Sequence, residues 1–318
     1  MNAIKNKFKL AEDKKSELPN SATKITNKEQ FYRQAFSRNV GILSETQQLE
    51  LSNTRVAIPG LGGVGGAHLQ TLARLGVGSF HLADFDSFEV ANFNRQVGAR
   101  SSTLGKDKIE VASTDALDIN PFLEIKRFNA GINKDNIDEF LSGVDIVVDS
   151  LDIFALETRR LLFSTAREKG IPVITTGPLA FTAPMLIFMP NSMTFDEYFG
   201  LSDDMSPDEM LLSFQIGLAP NLKYLSQFIP GSISYEKKAG PSLGLTCSLA
   251  VSMAATEVIR IIFNKKGIRA APYYVQFDLL NQKIRKGYLP WGNRNPIQKI
   301  KYLIAKRKFL TTKKNRKY

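Results

Sequence analysis

Between residues 55 and 176, segments with the hydrophobic pattern of β-strands alternate with segments that have the pattern of amphipathic helices. Short continuous apolar runs predict buried β-strands, and segments with apolar residues every three or four positions predict amphipathic helices. Strands are expected at residues 55–59, 79–84, 124–128, 145–149 and 172–176, with helices between them at 64–75, 105–118, 134–141 and 155–169. This alternation implies crossover connections and a mostly parallel, twisted sheet with helices on both faces. We therefore expect a Rossmann-like α/β fold.

The pattern changes beyond residue 176. A strand is expected at 185–189, and an irregular region follows at 191–241, in which Ser206 marks the start of a helix. We expect this irregular region to cover a site and to help select a substrate. Two further strand patterns predict an antiparallel extension at the C-terminal end, at residues 273–278 and 283–288.

The net charge of +11 comes entirely from the two ends of the chain. Residues 293–318 contain ten Lys and Arg residues and no acid, and residues 1–30 contain seven Lys and four acids. We interpret 1–30 as a flexible basic arm, 31–292 as a near-neutral folded domain and 293–318 as a basic tail with amphipathic character. A near-neutral domain does not favour binding of nucleic acid.

The chain has one cysteine, Cys247, which excludes an internal disulfide and a four-cysteine zinc site. No secretory signal is recognisable near Met1. The longest apolar run, roughly Leu243 to Ala255 within the predicted helix 243–263, contains Thr246, Ser248 and Ser252 and falls short of the ~20 residues of a spanning helix. We expect a buried helix there, no transmembrane segment, and a cytoplasmic protein.

A glycine-rich turn follows the first predicted strand, with Gly60, Gly62, Gly63 and Gly65 directly before a helix. Bare backbone at such a turn lets a phosphate approach the helix N-terminus, where free amides favour an anion. Asp84 ends the second strand at the offset expected for a carboxylate that binds ribose hydroxyls. The nearby Asp86 can serve instead, or can form a turn. These features fit NAD and ATP equally well.

Two cations favour ATP. Arg95 lies in the loop beyond the second strand, and Lys108 lies at the start of the next helix. A triphosphate attacked at its α-phosphorus needs cations to hold the leaving pyrophosphate. Asp152 follows the fourth strand and suits Mg²⁺, which binds one or two carboxylates together with phosphates and water. Asp152 can alternatively cap a helix, and Asp149 is better explained as structural.

The ordered series of motifs resembles the ThiF/MoeB/HesA-type adenylyltransferases, relatives of ubiquitin-activating enzymes, over residues 36–290. The resemblance implies that Asp84 binds ribose, that Asn92, Arg95 and Lys108 bind phosphates, and that Asp152 binds magnesium. It also implies a homodimer formed through segment 243–263. The match at Arg38 is looser, and it implies an arginine supplied to the phosphates of the neighbouring subunit.

Some family features are missing. No cysteine occurs between residues 177 and 246, where thioester-forming members carry one, and the zinc-binding cysteine pairs are absent. Cys247 lies in an apolar segment and is expected to be buried. The resemblance therefore implies a nucleotidyltransferase that uses ATP and Mg²⁺, without zinc and without an enzyme thioester.

The expected reaction is ATP-dependent adenylation of a carboxylate, with release of pyrophosphate. The acceptor is expected to be the C-terminus of a ubiquitin-like or sulfur-carrier protein, or of a peptide. One alternative is an enzyme similar to tRNA threonylcarbamoyladenosine dehydratase, with the basic tail on tRNA, and we favour it less. A tail that is solvated or touches anionic lipid is equally open. An NAD-dependent oxidoreductase is a further alternative, but it leaves Arg95, Lys108 and Asp152 without a role.

Overall fold

The computed structural model describes residues 27–229, 232 and 240–315, with side chains as far as residue 307. Of the predicted basic arm, residues 1–26 lie outside the described part. The described helices are α1 (Lys28–Ala35), α2 (Glu45–Asn53), α3 (Gly65–Leu75), α4 (Lys108–Ile119), α5 (Ile137–Phe140), α6 (Leu156–Glu168), α7 (Phe195–Phe199), α8 (Pro207–Leu218), α9 (Gly244–Ile262) and α10 (Pro296–Asn315).

The strands of the described residues form one eight-stranded sheet in the order β3-β2-β1-β4-β5-β6-β7-β8. They are β1 (Arg55–Pro59), β2 (Ser79–Ala83), β3 (Glu124–Phe128), β4 (Ile146–Asp149), β5 (Val173–Thr176), β6 (Thr182–Phe188), β7 (Tyr273–Asp278) and β8 (Lys283–Tyr288). The first five pair in parallel and the last three pair antiparallel. The predicted Rossmann-like sheet with an antiparallel C-terminal extension is confirmed.

The central strands are buried on both faces, which explains why they are continuously apolar rather than alternating. On β4, Val147 packs in one core with residues of α5, α6, α7 and α8. Ile146 and Val148 point to the opposite face and pack with residues of α3, α4 and α9. Strands β1 and β4 are neighbours although they are not consecutive along the chain, so the strand order reverses between them. In open α/β sheets, ligands bind at the carboxyl edge at this switch point.

Segment 191–241 is more regular than expected. Helices α7 and α8 lie within it, and each begins with a capping box, formed by Thr194 with Glu197 and by Ser206 with Glu209. In such a box, two side chains satisfy open backbone amides reciprocally, which stabilises even a short helix. Helices α1 and α2 precede the first strand, and Ser44, the N-cap of α2, forms a third capping box with Gln47.

Helix α9 is long and apolar enough to cross a bilayer, but half of its residues are buried within the fold. It packs on β5, β6 and α3, and Ala254, Ala255 and Val258 belong to the core. A core helix in a soluble domain has the same composition, and the packing of α9 matches the buried helix predicted from the sequence.

The segment predicted as a basic tail contains α10, and this helix packs along α8. Three of its side chains make polar contacts with the domain. The side-chain amide of Gln298 donates to the carbonyl of Ile216, and the Lys301 amine donates to the carbonyl of Pro220 at 2.6 Å. The Lys306 amine pairs with Glu209, near the other end of α8. Helix α10 therefore runs antiparallel to α8.

Candidate nucleotide-binding site

The glycine turn joins β1 to α3 next to the end of β4. Gly60 has φ of +86°, and a Cβ atom there would overlap the carbonyl oxygen of Ser150. A Cβ atom at Gly65 would overlap the carbonyl oxygen of Gly60. Gly62 and Gly63 differ, because the nearest atom to a Cβ there is a side-chain atom at 3.4 Å or more. Packing within the protein therefore requires Gly60 and Gly65 but not Gly62 and Gly63.

Asp84 joins the end of β2 to the glycine turn. Its buried carboxylate accepts a hydrogen bond from the Leu61 amide at 2.5 Å through one oxygen and from the Asp86 amide at 2.8 Å through the other. Burial raises the pKa of Asp84 above its ordinary value, although both amides and the nearby Lys108 act in the opposite direction. Each oxygen retains acceptor capacity for the hydroxyl of a ligand.

Lys108 begins α4 and points back to the end of β2. Its buried amine lies 2.8 Å from the carboxylate of the half-exposed Asp86. The Lys108 amide also donates to the Asp86 carbonyl at 2.9 Å. The structure therefore brings Asp84, Asp86 and Lys108 together at the carboxyl edge of the sheet.

The loop after β2 carries Asn92 and Arg95. Asn92 is buried, and its side-chain oxygen accepts from the Glu89 amide at 3.0 Å, which closes a turn. The Arg95 guanidinium donates to the Ala91 carbonyl at 2.8 Å and to the Asn94 side chain at 3.0 Å. Two atoms of the Arg95 side chain lie 3.8 Å from the position that a Cβ atom would occupy if Gly63 had a side chain. Arg95 therefore lies beside the glycine turn, as expected.

Asp152 lies at the surface after β4, where one carboxylate oxygen accepts from the Phe154 amide at 2.9 Å. This is an Asx turn rather than a helix cap, because Ala155 is the N-cap of α6. The second oxygen is available to an ion. Within the described residues, no group of three His, Cys, Asp or Glu could hold a metal. A single carboxylate next to bound phosphates still fits the preference of Mg²⁺.

Asp149 is structural, as its position in the sequence suggested. Its side chain is fully buried and accepts from the Arg159 guanidinium at 2.8 Å and from the Thr175 hydroxyl at 2.7 Å. Arg159 also donates to the carbonyls of Leu151 and Asp152. The ion pair thus holds the loop that carries Asp152. Sequence reasoning missed Arg159, although an arginine among Leu156, Leu162 and Phe163 on the buried face of α6 signals a buried partner.

Arg38 lies far from these residues within one subunit. It is exposed in the loop between α1 and α2. The adjacent Asn39 donates to the Leu75 carbonyl at the C-terminal end of α3. Gly65, which begins α3 at the glycine turn, is ten residues away along the helix, or about 15 Å. Arg38 of the same subunit is therefore not grouped with the site.

Two further residues contact the glycine turn and were not assigned to it from the sequence. Gln96 is buried, and its side-chain oxygen has no hydrogen-bond partner among the described residues. The Gln96 nitrogen lies 3.8 Å from the position of a Cβ atom at Gly62. The buried Cys247 sulfur lies 3.4 Å from the corresponding position at Gly63. Burial raises the pKa of the Cys247 thiol, which keeps it protonated.

The sheet order and its switch point define a Rossmann-like α/β domain. The chain belongs to the ThiF family, whose pattern matches residues 36–296. This match confirms the resemblance inferred from the glycine turn, Asp84, Arg95, Lys108 and Asp152.

Several named relatives match part of the chain. A SAMP-activating enzyme E1 of Haloferax volcanii is 36% identical over 127 residues, 40% of this chain and 46% of that protein. A tRNA threonylcarbamoyladenosine dehydratase of Bacillus subtilis is 32% identical over 142 residues, 44% of this chain and 55% of that protein. A molybdopterin-synthase adenylyltransferase of Haemophilus influenzae is 32% identical over 150 residues, 46% of this chain and 61% of that protein. The matches span about half the length of these relatives.

Solved structures with a similar fold cover more of the chain. The crystal structure of PaaA has a TM-score of 0.61 at 20% identity and covers 85% of this chain and 77% of its own. The crystal structure of E. coli MccB with ATP has a TM-score of 0.60 at 20% identity and covers 86% of this chain and 74% of its own. At this level of identity, the similarity establishes a shared fold.

Proposed function

We propose that this chain is an ATP-dependent adenylyltransferase that activates a carboxylate as an acyl-adenylate and releases pyrophosphate. The proposed carboxylate is the C-terminus of a ubiquitin-like or sulfur-carrier protein, or of a peptide. The relatives include proteins named as adenylyltransferases and as a SAMP-activating enzyme, which supports this class of reaction.

The contact between Lys108 and Asp86 carries the proposal. It brings a buried lysine amine close to Asp84, the acid to which we assign the ribose hydroxyls. A nicotinamide dinucleotide has its pyrophosphate neutralised at the helix N-terminus and leaves this lysine without a task. A triphosphate extends further and needs a cation where Lys108 lies.

The residues of the site account for the first chemical step. Gly62 and Gly63, whose lack of side chains is not required by internal packing, allow phosphates to reach the first amides of α3. Asp84 accepts from the ribose hydroxyls. Arg95 and Lys108 neutralise the charge that develops on the leaving pyrophosphate.

The substrate carboxylate is already ionised at neutral pH and attacks the α-phosphorus without a general base. The new bond joins the carboxylate oxygen to phosphorus, and the bond between the α-phosphorus and pyrophosphate breaks. A magnesium ion held by Asp152 would add a Lewis acid beside the phosphates.

A homodimer belongs to the same proposal. In one subunit, the loop that carries Arg38 contacts the C-terminal end of α3 through Asn39, and this end lies about 15 Å along the helix from the glycine turn. A neighbouring subunit packed through α9 would bring its own Arg38 to the phosphates. Mixing Arg38→Ala protein with Lys108→Met protein tests this arrangement, because mixed dimers would contain one intact site and recover part of the activity.

The central experiment uses thermal denaturation to measure nucleotide binding, followed by exchange of pyrophosphate into ATP with candidate peptides or carrier C-termini. Wild-type protein should be stabilised by Mg-ATP and not by NAD. Lys108→Met should lose both the stabilisation and the exchange. Lys106→Met is the matched control, because Lys106 is an exposed lysine two positions away. Equal loss in both variants, or stabilisation by NAD, would refute the proposal.

A second candidate is the reaction named in the Bacillus subtilis relative, tRNA threonylcarbamoyladenosine dehydration, and similarity to that protein supports it to a comparable degree. The modified nucleoside also offers a carboxylate, so the adenylation step is shared. Incubation of the protein with modified tRNA and Mg-ATP separates the candidates. Loss of one water from the nucleoside favours the tRNA reaction, and an AMP adduct on a peptide or carrier C-terminus favours the first proposal.

A further inference from the structure

Helix α10 turns its apolar side away from the protein. Four aliphatic residues on it have between 54% and 65% of their surface exposed: Ile297, Ile300, Leu303 and Ile304. At 3.6 residues per turn they lie within a stripe of about 120° on one side of the helix. We refer to these four residues as the apolar stripe.

The opposite side of α10 faces the domain and makes polar contacts with it. Gln298 is 1% exposed and donates to the Ile216 carbonyl. Lys301 and Lys306 donate to Pro220 and Glu209 of the same surface. An ordinary surface helix buries its apolar side and exposes its polar side. The reversed arrangement leaves the apolar stripe without a partner in this chain's described residues.

The charge around the apolar stripe limits what can cover it. Residues 293–318 carry ten Lys and Arg and no acid. A second copy of α10 packed on the first would bring two strongly positive helices together, which is unfavourable. Nucleic acid would match the charge but offers no apolar phase for Ile and Leu. An anionic lipid bilayer matches both properties.

Trp291 precedes α10 in the chain and is 67% exposed. Tryptophan is enriched at the boundary between lipid and water. The helix is 20 residues long, or about 30 Å. It can therefore lie along a bilayer while its polar side keeps its contacts with α8.

We propose that α10 binds the surface of membranes that contain anionic phospholipids, with the apolar stripe inserted among the lipids and the flanking cations on the headgroups. The site for the nucleotide is at the carboxyl edge of β1 and β4, and the residues assigned to it do not include any of α10. Membrane binding thus goes beyond the proposed adenylation and is independent of it.

The test is co-sedimentation of the full chain with phosphatidylcholine vesicles that contain or lack phosphatidylserine. Wild-type protein should sediment with the anionic vesicles, less so at high salt, and not with the neutral ones. The triple variant Ile300→Ser, Leu303→Ser, Ile304→Ser should bind at least about tenfold more weakly, because it keeps the charge and loses the inserted side chains.

The control variant is Leu280→Ser, Ile284→Ser, which removes two similarly exposed aliphatic residues from the hairpin of β7 and β8. It should bind as wild type does. Circular dichroism of each variant verifies that the fold is retained. Light scattering and tRNA retention are measured in parallel for the triple variant.

Three results would overturn the proposal. The first is no sedimentation of wild-type protein with anionic vesicles. The second is equal binding by the triple and control variants, which would reduce the effect to charge alone. The third is a change in oligomeric mass or in tRNA retention of the triple variant without a change in vesicle binding, which would assign the apolar stripe to a second copy or to RNA.

Discussion

The buried ion pair between Asp149 and Arg159 provides the sharpest test of how the site is supported. Replacing Arg159 with methionine retains an unbranched side chain against the ring of Phe214, which the guanidinium now covers at 4.7 Å. The replacement removes the hydrogen bond to Asp149 and those to the carbonyls of Leu151 and Asp152. It therefore leaves a fully buried carboxylate without its counter-ion.

Breaking a buried pair in this way costs about 3–5 kcal/mol. The Thr175 hydroxyl and the Leu151 amide continue to donate to Asp149, so we expect the lower half of that range. The double variant Asp149→Asn, Arg159→Met removes the buried charge as well. It should be less destabilised than the sum of the two single variants, because the two residues interact directly.

Urea denaturation followed by circular dichroism measures these free energies of unfolding. Arg160→Met is the matched control, because this neighbouring arginine is itself 18% exposed but pairs with carboxylates of Glu157, Asp196 and Asp203 that are 73%, 40% and 93% exposed. Exposed pairs contribute about 0–1 kcal/mol. If Arg159→Met destabilises the protein no more than Arg160→Met does, the ion pair does not support the loop of Asp152, and this account is wrong.

Three further predictions concern single residues. Gly65→Ala should lower the denaturation temperature and abolish stabilisation by Mg-ATP, because the new methyl group overlaps the Gly60 carbonyl; Gly177→Ala, where a Cβ meets open space, should leave the denaturation temperature unchanged. His68 is fully buried without a hydrogen-bond partner among the described residues, and burial lowers its pKa to about 3. The unfolded chain therefore binds a proton that the folded chain excludes, and stability falls as pH drops below 6.5, by up to about 1.4 kcal/mol per unit. His68→Leu should remove this part of the slope in urea denaturation between pH 7.5 and 5, and an unchanged slope would contradict the assignment. Cys247→Ala should retain pyrophosphate exchange and product formation, whereas retained exchange with lost product would indicate a thioester on Cys247.

Local sequence patterns were sufficient for much of the fold and part of the site. The central strands could be predicted because burial on both faces makes them continuously apolar, as in β4. The glycine turn could be predicted because its glycines are required by close backbone contacts. A Cβ atom at Gly65 would overlap Gly60 of the same turn, and a Cβ atom at Gly60 would overlap Ser150 at the end of the adjacent strand. Asp84 and Lys108 could be placed at the carboxyl edge of the sheet from the sequence. Asp84 directly follows β2, and Lys108 is the first residue of α4.

Contacts between distant residues could not be predicted in this way. The pairing of Asp149 with Arg159 and Thr175, and the approach of Cys247 to Gly63, depend on how β4, β5, α6 and α9 pack together. Helix α10 shows the difference most clearly. Its sequence alone determined a basic, partly amphipathic helix, because charge and hydrophobic period are local properties. Only the tertiary structure decided which side faces the protein, because the polar groups of Gln298, Lys301 and Lys306 find their partners on α8 and on the residues that follow it, and the aliphatic side is left outward.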